Sequence, residues 1–320
     1  MNNMPDGAFA ETERQFLSLL ERAAGSVVVR VWLHTMPGLP RGEEVNHRIG
    51  ERYGTLDDLL SRRIDGVIVT GTEPVAGMLL QEPYWPSLAA LIAWAERSTF
   101  ATVLSCLAAH AALLLLDGID RVPLAKKCSG VFVHDAESGH SLVRGMNGPI
   151  YVPHSRLNDV PQDLLPPEYS NLLIASDVSW TLLTREHQDC LLVLVQGHPE
   201  YSTTSLLREY RRDLLRYVQG ARSTPPPIPV NYVDEEAEAL LRQFAAECEA
   251  GRERPDYLER FPFDQVSARL LDTWGRDGER LYSNWLAEIL RRKSPGRSLG
   301  VRPGPPPLPA DEREKRSVGA

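Results

Sequence analysis

Short aliphatic runs punctuate the first two hundred residues: VVVRVWL (27–33), IDGVIVTG (64–71), FATVLSC (100–106), GVFV (130–133), PIYV (149–152), LLIAS (172–176) and CLLVLVQG (190–197). Most are rich in β-branched residues and bounded by Gly, Ser, Asp or Pro, the pattern of buried strands. Between some of them apolar residues recur at helical spacing. TERQFLSLLERA (12–23) puts Phe16, Leu19 and Leu20 on one face, and WPSLAALIAWAE (85–96) does the same with Leu88, Leu91, Ile92 and Ala95. CLAAHAALLLL (106–116) follows directly on a strand-like run. This alternation predicts an α/β fold with a mostly parallel sheet and helices on both faces.

A further helix is expected over TTSLLREYRRDLLRYV (203–218), capped by Thr203 or Thr204. The prolines of ARSTPPPIPVNY (221–232) then impose an extended path, and helical patterns return at 234–250 and 278–293. From Ser294 onward nothing can fill a core. The expected organisation is one α/β domain over 1–293, with 219–293 as a C-terminal helical extension, and a proline-rich disordered tail over 294–320.

Composition narrows the function. With 320 residues, 42% hydrophobic, the chain can bury a large core. A net charge of -8 leaves no basic excess to neutralise phosphates, which argues against nucleic acid as a partner. The basic runs Arg211-Arg212 and Arg291-Arg292-Lys293 read as solvated helix faces. Apolar stretches fall short of the roughly 20 residues of a membrane helix, and the polar start MNNMPDGAFAETER lacks a signal-peptide core. The four cysteines form no CxxC, and the histidines form no HxH or HExxH. A reducing cytoplasmic setting without a metal site is expected.

Candidate chemistry lies at two strand ends. Cys106 sits where an aliphatic run turns into an alanine-rich helix, the setting of a nucleophile elbow. Helix-terminal N–H groups there favour a thiolate and a developing oxyanion. His198 and Glu200, in QGHPEY (196–201), follow another strand end and so belong on the same edge of the sheet. Two residues apart on extended backbone, they share a face, as a base and the carboxylate that orients it require. Taken singly, Cys106 also fits a buried inert thiol, and His198–Glu200 a satisfied polar pair. Among the other histidines, His154 lies just past a strand and is placed to touch substrate, and His110 is placed to pack under Cys106. His34, His47, His134, His140 and His187 read as surface or loop residues.

The chain resembles the homoserine O-succinyltransferase family, the MetA-type homoserine acyltransferases, over about residues 4 to 290. The matching stretches are AETERQFLSLL (10–20), DGVIVTG (65–71), EPYWPSL (82–88), TVLSCLAAHAAL (102–113), KKCSGVF (126–132), VPHSR (152–156), QGHPEY (196–201), LLREYRRD (206–213), PVNY (229–232) and LYSNWL (281–286). The resemblance implies a flavodoxin-like fold of the class I glutamine amidotransferase type. It implies Cys106 as a nucleophile acylated by acyl-CoA, His198 as general base and Glu200 as its partner. Lys127 matches a lysine of the substrate pocket, and His154, Ser155 and Arg156 match the pocket's HSR. Glu209 and Arg212 match the pair that grips the amino acid, with Arg212 on its α-carboxylate, a pairing suited to a guanidinium fork. The backbone N–H groups of Leu107 and of the Gly71–Thr72 turn are the expected oxyanion hole.

The sequence departs from the family's pattern in several places. A hydrophobic strand usually precedes the segment matching NNMPD (2–6), which here opens the chain. Either the start lies upstream, or a strand is absent and a neighbour's edge is left exposed. In the loop that helps choose the acyl donor, Val75 stands where succinyl users carry glycine and acetyl users glutamate. An acid at Glu73 would repel a succinyl carboxylate and favours acetyl. The insert GRERPDYLERFPFD (251–264) and the tail lack counterparts, so serine or a related hydroxy amino acid is an alternative acceptor. The expected reaction is transfer of an acetyl or succinyl group from acyl-CoA to the hydroxyl of homoserine, by ping-pong through a Cys106 acyl-enzyme, with no bound cofactor and a possible homodimer. An acyl thioester hydrolase and a non-catalytic binding protein are the rival readings.

Overall fold

The computed structural model describes residues 1–137, 139–250 and 257–294. The elements, in chain order, are α1 (Asp6–Ala24), α2 (Glu43–Arg52), α3 (Leu56–Ser61), β1 (Gly66–Val69), α4 (Trp85–Ser98), β2 (Ala101–Ser105), α5 (Leu107–Asp117), β3 (Val122–Ala136), β4 (Ile150–Asp159), β5 (Ser170–Asn171), β6 (Leu173–Ile174), β7 (Leu182–His187), β8 (Cys190–Val195), α6 (Ser205–Val218), α7 (Glu235–Ala250), α8 (Tyr257–Arg260), α9 (Phe263–Ser267) and α10 (Gly275–Lys293). Among the described residues no helix is long and apolar enough to cross a membrane.

The main sheet has the order β1-β2-β8-β7-β5. Strands β1, β2 and β8 are parallel, so their carboxyl ends share one edge; β7 and β5 complete the sheet antiparallel. β2 and β8 are buried along their whole length, as their unbroken aliphatic sequence requires. Alternate residues feed two cores. Leu104, Leu192 and Leu194 pack with α4 and α5, while Val103, Leu191 and Val193 pack with α1 and α10. A smaller antiparallel sheet, β4-β3-β6, stands beside the first, and GVFV and PIYV belong to it.

VVVRVWL is not a strand. Residues 27–33 run extended, and Val28 is 89% exposed. The one bridge here is between His34 and Gly54. A slot of about 270 Å³ separates this segment from β1, with Phe16, Leu20, Trp285 and Ile289 along it. Met1 and Asn2 close one end in strand-like fashion. The Met1 nitrogen donates to Ile68 O (2.8 Å), Thr70 N donates to Met1 O (3.0 Å), and Asn2 N donates to His34 O (2.8 Å). Burial lowers the pKa of that terminal amine to about 5. The edge of β1 is thus partly covered by Met1 and Asn2.

Helix α6 begins as expected, with Thr204 at the N-cap position, although its side chain makes no capping bond. Arg292, read as solvated, is buried between Glu288 (2.6 Å) and Glu186 (2.5 Å). His34 and His134, read as surface or loop residues, are buried as well. The tail from 295 and residues 251–256 of the insert lie outside the described residues.

Candidate active site

The turn between β2 and α5 holds Cys106 at φ 52°, ψ −112°, a conformation that costs a non-glycine residue about 1–3 kcal/mol. Its amide donates to Val195 O of β8 (2.7 Å), and its carbonyl accepts from Ala109 N (3.0 Å) and His110 N (3.2 Å). The thiol is therefore raised above the carboxyl edge at the start of α5, where the first helical N–H groups have no intrahelical acceptor. Gly71 lies against this turn: a Cβ there would stand 3.2 Å from Leu107 N and 3.3 Å from Leu107 Cβ. Leu107, Gly71 and, next to it, Thr72 thus sit together at the elbow.

His198 leaves β8 at the same edge. Its amide donates to Pro153 O of β4 (2.7 Å) and its Nδ1 meets Glu200 Oε1 at 2.9 Å. The Cys106 side chain is near enough to favour the protonated ring, which stacks on Tyr201 with centroids 4.2 Å apart. Burial opposes protonation of His198, yet the Glu200 charge, the bond to Glu200 and the nearby Cys106 side chain hold its pKa well above the ordinary histidine value. Glu200 Oε2 is buried with no hydrogen-bond partner. Two glycines fix this turn from outside. A Cβ on Gly197 would lie 2.5 Å from Val152 Cγ1, and one on Gly278 of α10 would lie 2.5 Å from Pro199 O.

A charged cluster continues from Tyr201. Tyr201 OH donates to Glu209 Oε1 (2.6 Å), and Ser155 Oγ donates to Glu209 Oε2. Lys127 Nζ reaches Glu209 (3.3 Å) and Asp213 (2.7 Å). Burial pushes both carboxyls up, but Lys127 and Arg212 outweigh it and hold them below the usual range. Arg212 bonds its neighbour Asp213 (2.9 and 3.0 Å) rather than Glu209. Tyr201 and Asp213 are neighbours of these candidate residues that sequence reasoning passed over, although one completes GHPEY and the other lies four residues after Glu209.

The HSR stretch divides by strand alternation. Ser155 joins the cluster, while His154 and Arg156 turn inward and are buried. Arg156 bonds His154 Nδ1 (2.9 Å), Cys128 Sγ (2.9 Å) and Asp159 (3.0 Å). His154 Nε2 meets Thr181, which in turn meets His134 at 2.7 Å. Desolvation, helped by the nearby Arg156 charge, keeps His154 well below its ordinary pKa. His110, packed beneath the elbow, bonds Gln196 (2.7 Å) and is pushed down to about 4 by burial.

Glu73 and Val75 lie in the loop after β1. The Val75 amide, with that of Ala76, is held by the buried Glu82 carboxylate (3.2 and 2.8 Å), and its side chain is exposed. Glu73 is not an unpaired acid: Arg216 of α6 grips both of its oxygens, at 2.7 and 3.0 Å. The repulsion that favoured an acetyl donor therefore loses its footing.

The chain matches the family model described as homoserine O-succinyltransferase over residues 1–295. It is 41% identical over 290 residues to a homoserine O-succinyltransferase of Rhodopseudomonas palustris, covering 90% of this chain and 86% of that one. With a homoserine O-succinyltransferase of Methylorubrum extorquens it shares 40% identity over 293 residues, 91% and 86% of the two chains. Among solved structures, a glutamine amido transferase from Methylobacillus flagellatus is similar at 15% identity and a TM-score of 0.47, covering 82% of this chain and 96% of that one.

Proposed function

The chain belongs to the homoserine O-succinyltransferase family of acyltransferases, and from that membership we propose that it moves a succinyl group from succinyl-CoA to the hydroxyl of homoserine through a Cys106 acyl-enzyme. The observation that carries this reading is Cys106 on its strained turn, at the same sheet edge as a histidine that Glu200 orients and whose protonated form the Cys106 side chain favours.

In the first half-reaction His198 takes the Cys106 proton as Sγ attacks the thioester carbonyl. The oxyanion is received by the Leu107 N–H and the Gly71–Thr72 turn, donors that each are worth about 10²–10³ in rate at such sites. The bond to the coenzyme A sulfur breaks, and the departing thiol takes the proton from His198. Homoserine then enters with its ammonium toward Glu209 and its carboxylate toward Arg212 and Lys127. His198 accepts the hydroxyl proton as oxygen attacks the thioester at Cys106, and the O-acyl product leaves a free thiol. Ser155 and Tyr201 hold Glu209 in position for this step. His154 and Arg156, being buried, act by supporting β4 beneath the site rather than by touching substrate.

Intact-mass measurement after mixing with succinyl-CoA alone tests the scheme. One succinyl group should appear on the protein, map to Cys106, and be discharged by homoserine with release of O-succinylhomoserine. A Cys106→Ala protein that still forms product at the wild-type rate would falsify it.

A further inference from the structure

Strands β1 and β8 flank β2, which delivers Cys106. The loop leaving β1 and the helix following β8 are joined by the Glu73–Arg216 ion pair. The pair therefore ties together the two elements on either side of the elbow. It differs in kind from the Lys127–Asp213 pair of the same cluster, whose side chains are each 7% exposed. Glu73 and Arg216 are 43% and 41% exposed, and pairs so exposed are worth about 0–1 kcal/mol and open readily.

The charges around this point are unequal. Lys127, Arg212, Arg216 and Arg222 face the carboxylates of Glu73, Glu209 and Asp213, which leaves one cation in excess. Glu73 also feels Arg212 and Asp213, so it belongs to the same electrostatic neighbourhood. A zwitterionic amino acid adds no net charge. A dicarboxylic acyl group carries one negative charge more than acetyl; the acceptor uses Lys127 and Arg212, and of the remaining Arg216 and Arg222 it is Arg216 whose partner carboxylate is exposed, Glu73 at 43% against Asp213 at 7%.

Resting on the acyl-transfer reading above, we propose that Arg216 selects the donor: it releases Glu73 and takes the distal carboxylate of a dicarboxylic acyl thioester, one carboxylate replacing another. Glu73 is then an internal stand-in for that group, occupying the guanidinium fork when no donor is bound. The selected class is a short acyl chain ending in a carboxylate, as in succinyl.

The test compares kcat/KM for succinyl-CoA and acetyl-CoA, with homoserine as acceptor, in the wild type and in Arg216→Gln, Arg216→Lys and Glu73→Gln. Losing a charge-assisted hydrogen bond should lower the succinyl-to-acetyl ratio roughly tenfold to hundredfold in Arg216→Gln. Arg216→Lys should recover part of the ratio, and Glu73→Gln, which removes the competitor, should raise it. A ratio unchanged in both Arg216→Gln and Glu73→Gln, or a wild type that prefers acetyl-CoA, overturns the proposal while leaving the acyl-enzyme intact. A wild type that acylates Cys106 with neither donor sinks the transferase reading and this proposal with it. Glu73→Gln keeps the test decisive should Arg216→Gln fail to fold.

Discussion

Replacing Glu200 by glutamine removes one charge and little else. The amide oxygen can still meet His198 Nδ1, which lies 2.9 Å from Glu200 Oε1 in a site where both side chains are almost fully buried. What is lost is the attraction between carboxylate and imidazolium. With charge centres about 4 Å apart and an effective dielectric constant near 20, that attraction is about 4 kcal/mol. Felt in full at the transition state, where His198 carries the proton, it corresponds to about 10³ in rate. The sign for titration follows: Glu200 helps to raise the His198 pKa, so Glu200→Gln lowers it and His198 is protonated less readily. Alkylation of Cys106 by iodoacetamide across a pH series reads this without any substrate. The variant should react more slowly near neutrality, with its profile displaced. Stability should hardly suffer, since Glu200 Oε2 is already buried without a partner. An alkylation profile that superimposes on the wild type, or a loss of activity matched by a collapse in stability, would refute this reasoning.

Lys127→Ala should leave Glu209 and Asp213 buried without their shared cation, costing about 3–5 kcal/mol in denaturant unfolding and raising the KM for homoserine. Gly278→Ala should lower kcat although α10 is remote in sequence, because the new methyl must displace Pro199 O, 2.5 Å away, and with it the His198–Glu200 turn; steady-state kinetics beside a melting curve separates this from general destabilisation. His110 is pushed down to about 4 by burial. Its unfolded form binds protons first, so its contribution is complete above about pH 6.5 and fades as pH falls toward 4. The full loss is about 3 kcal/mol at 1.36 kcal/mol per unit, and a His110→Asn protein should show a shallower fall of melting temperature over that window.

The elbow could be read from sequence because its signal is local. An aliphatic run, a cysteine and an alanine-rich helix specify the turn within a dozen residues, and QGHPEY announces the second strand end in the same way. Pairing is not local. VVVRVWL has the composition of a strand, yet composition does not supply a neighbour, and the segment runs extended beside a slot. The KKC of KKCSGVF likewise disappears into the long β3, whose length comes from its antiparallel partner β4. Polar residues mislead for a related reason. His134, His154, Thr181, Arg156 and Arg292 are buried through partners scattered along the chain, and no spacing reveals them. Tyr201 and Asp213 sat inside motifs already singled out; what was missing was the fold that turns them toward Glu209 and Lys127.

The Met1 nitrogen faces into the molecule between two stretches of extended backbone. Anything fused to it is steered into a narrow greasy channel instead of open solvent. A short hydrophilic affinity handle at that end would have to dry out against Phe16, Trp285 and Ile289 or drag Met1 and Asn2 off Ile68, Thr70 and His34. For this protein, the composition of an amino-terminal leader is a decision about the sheet itself.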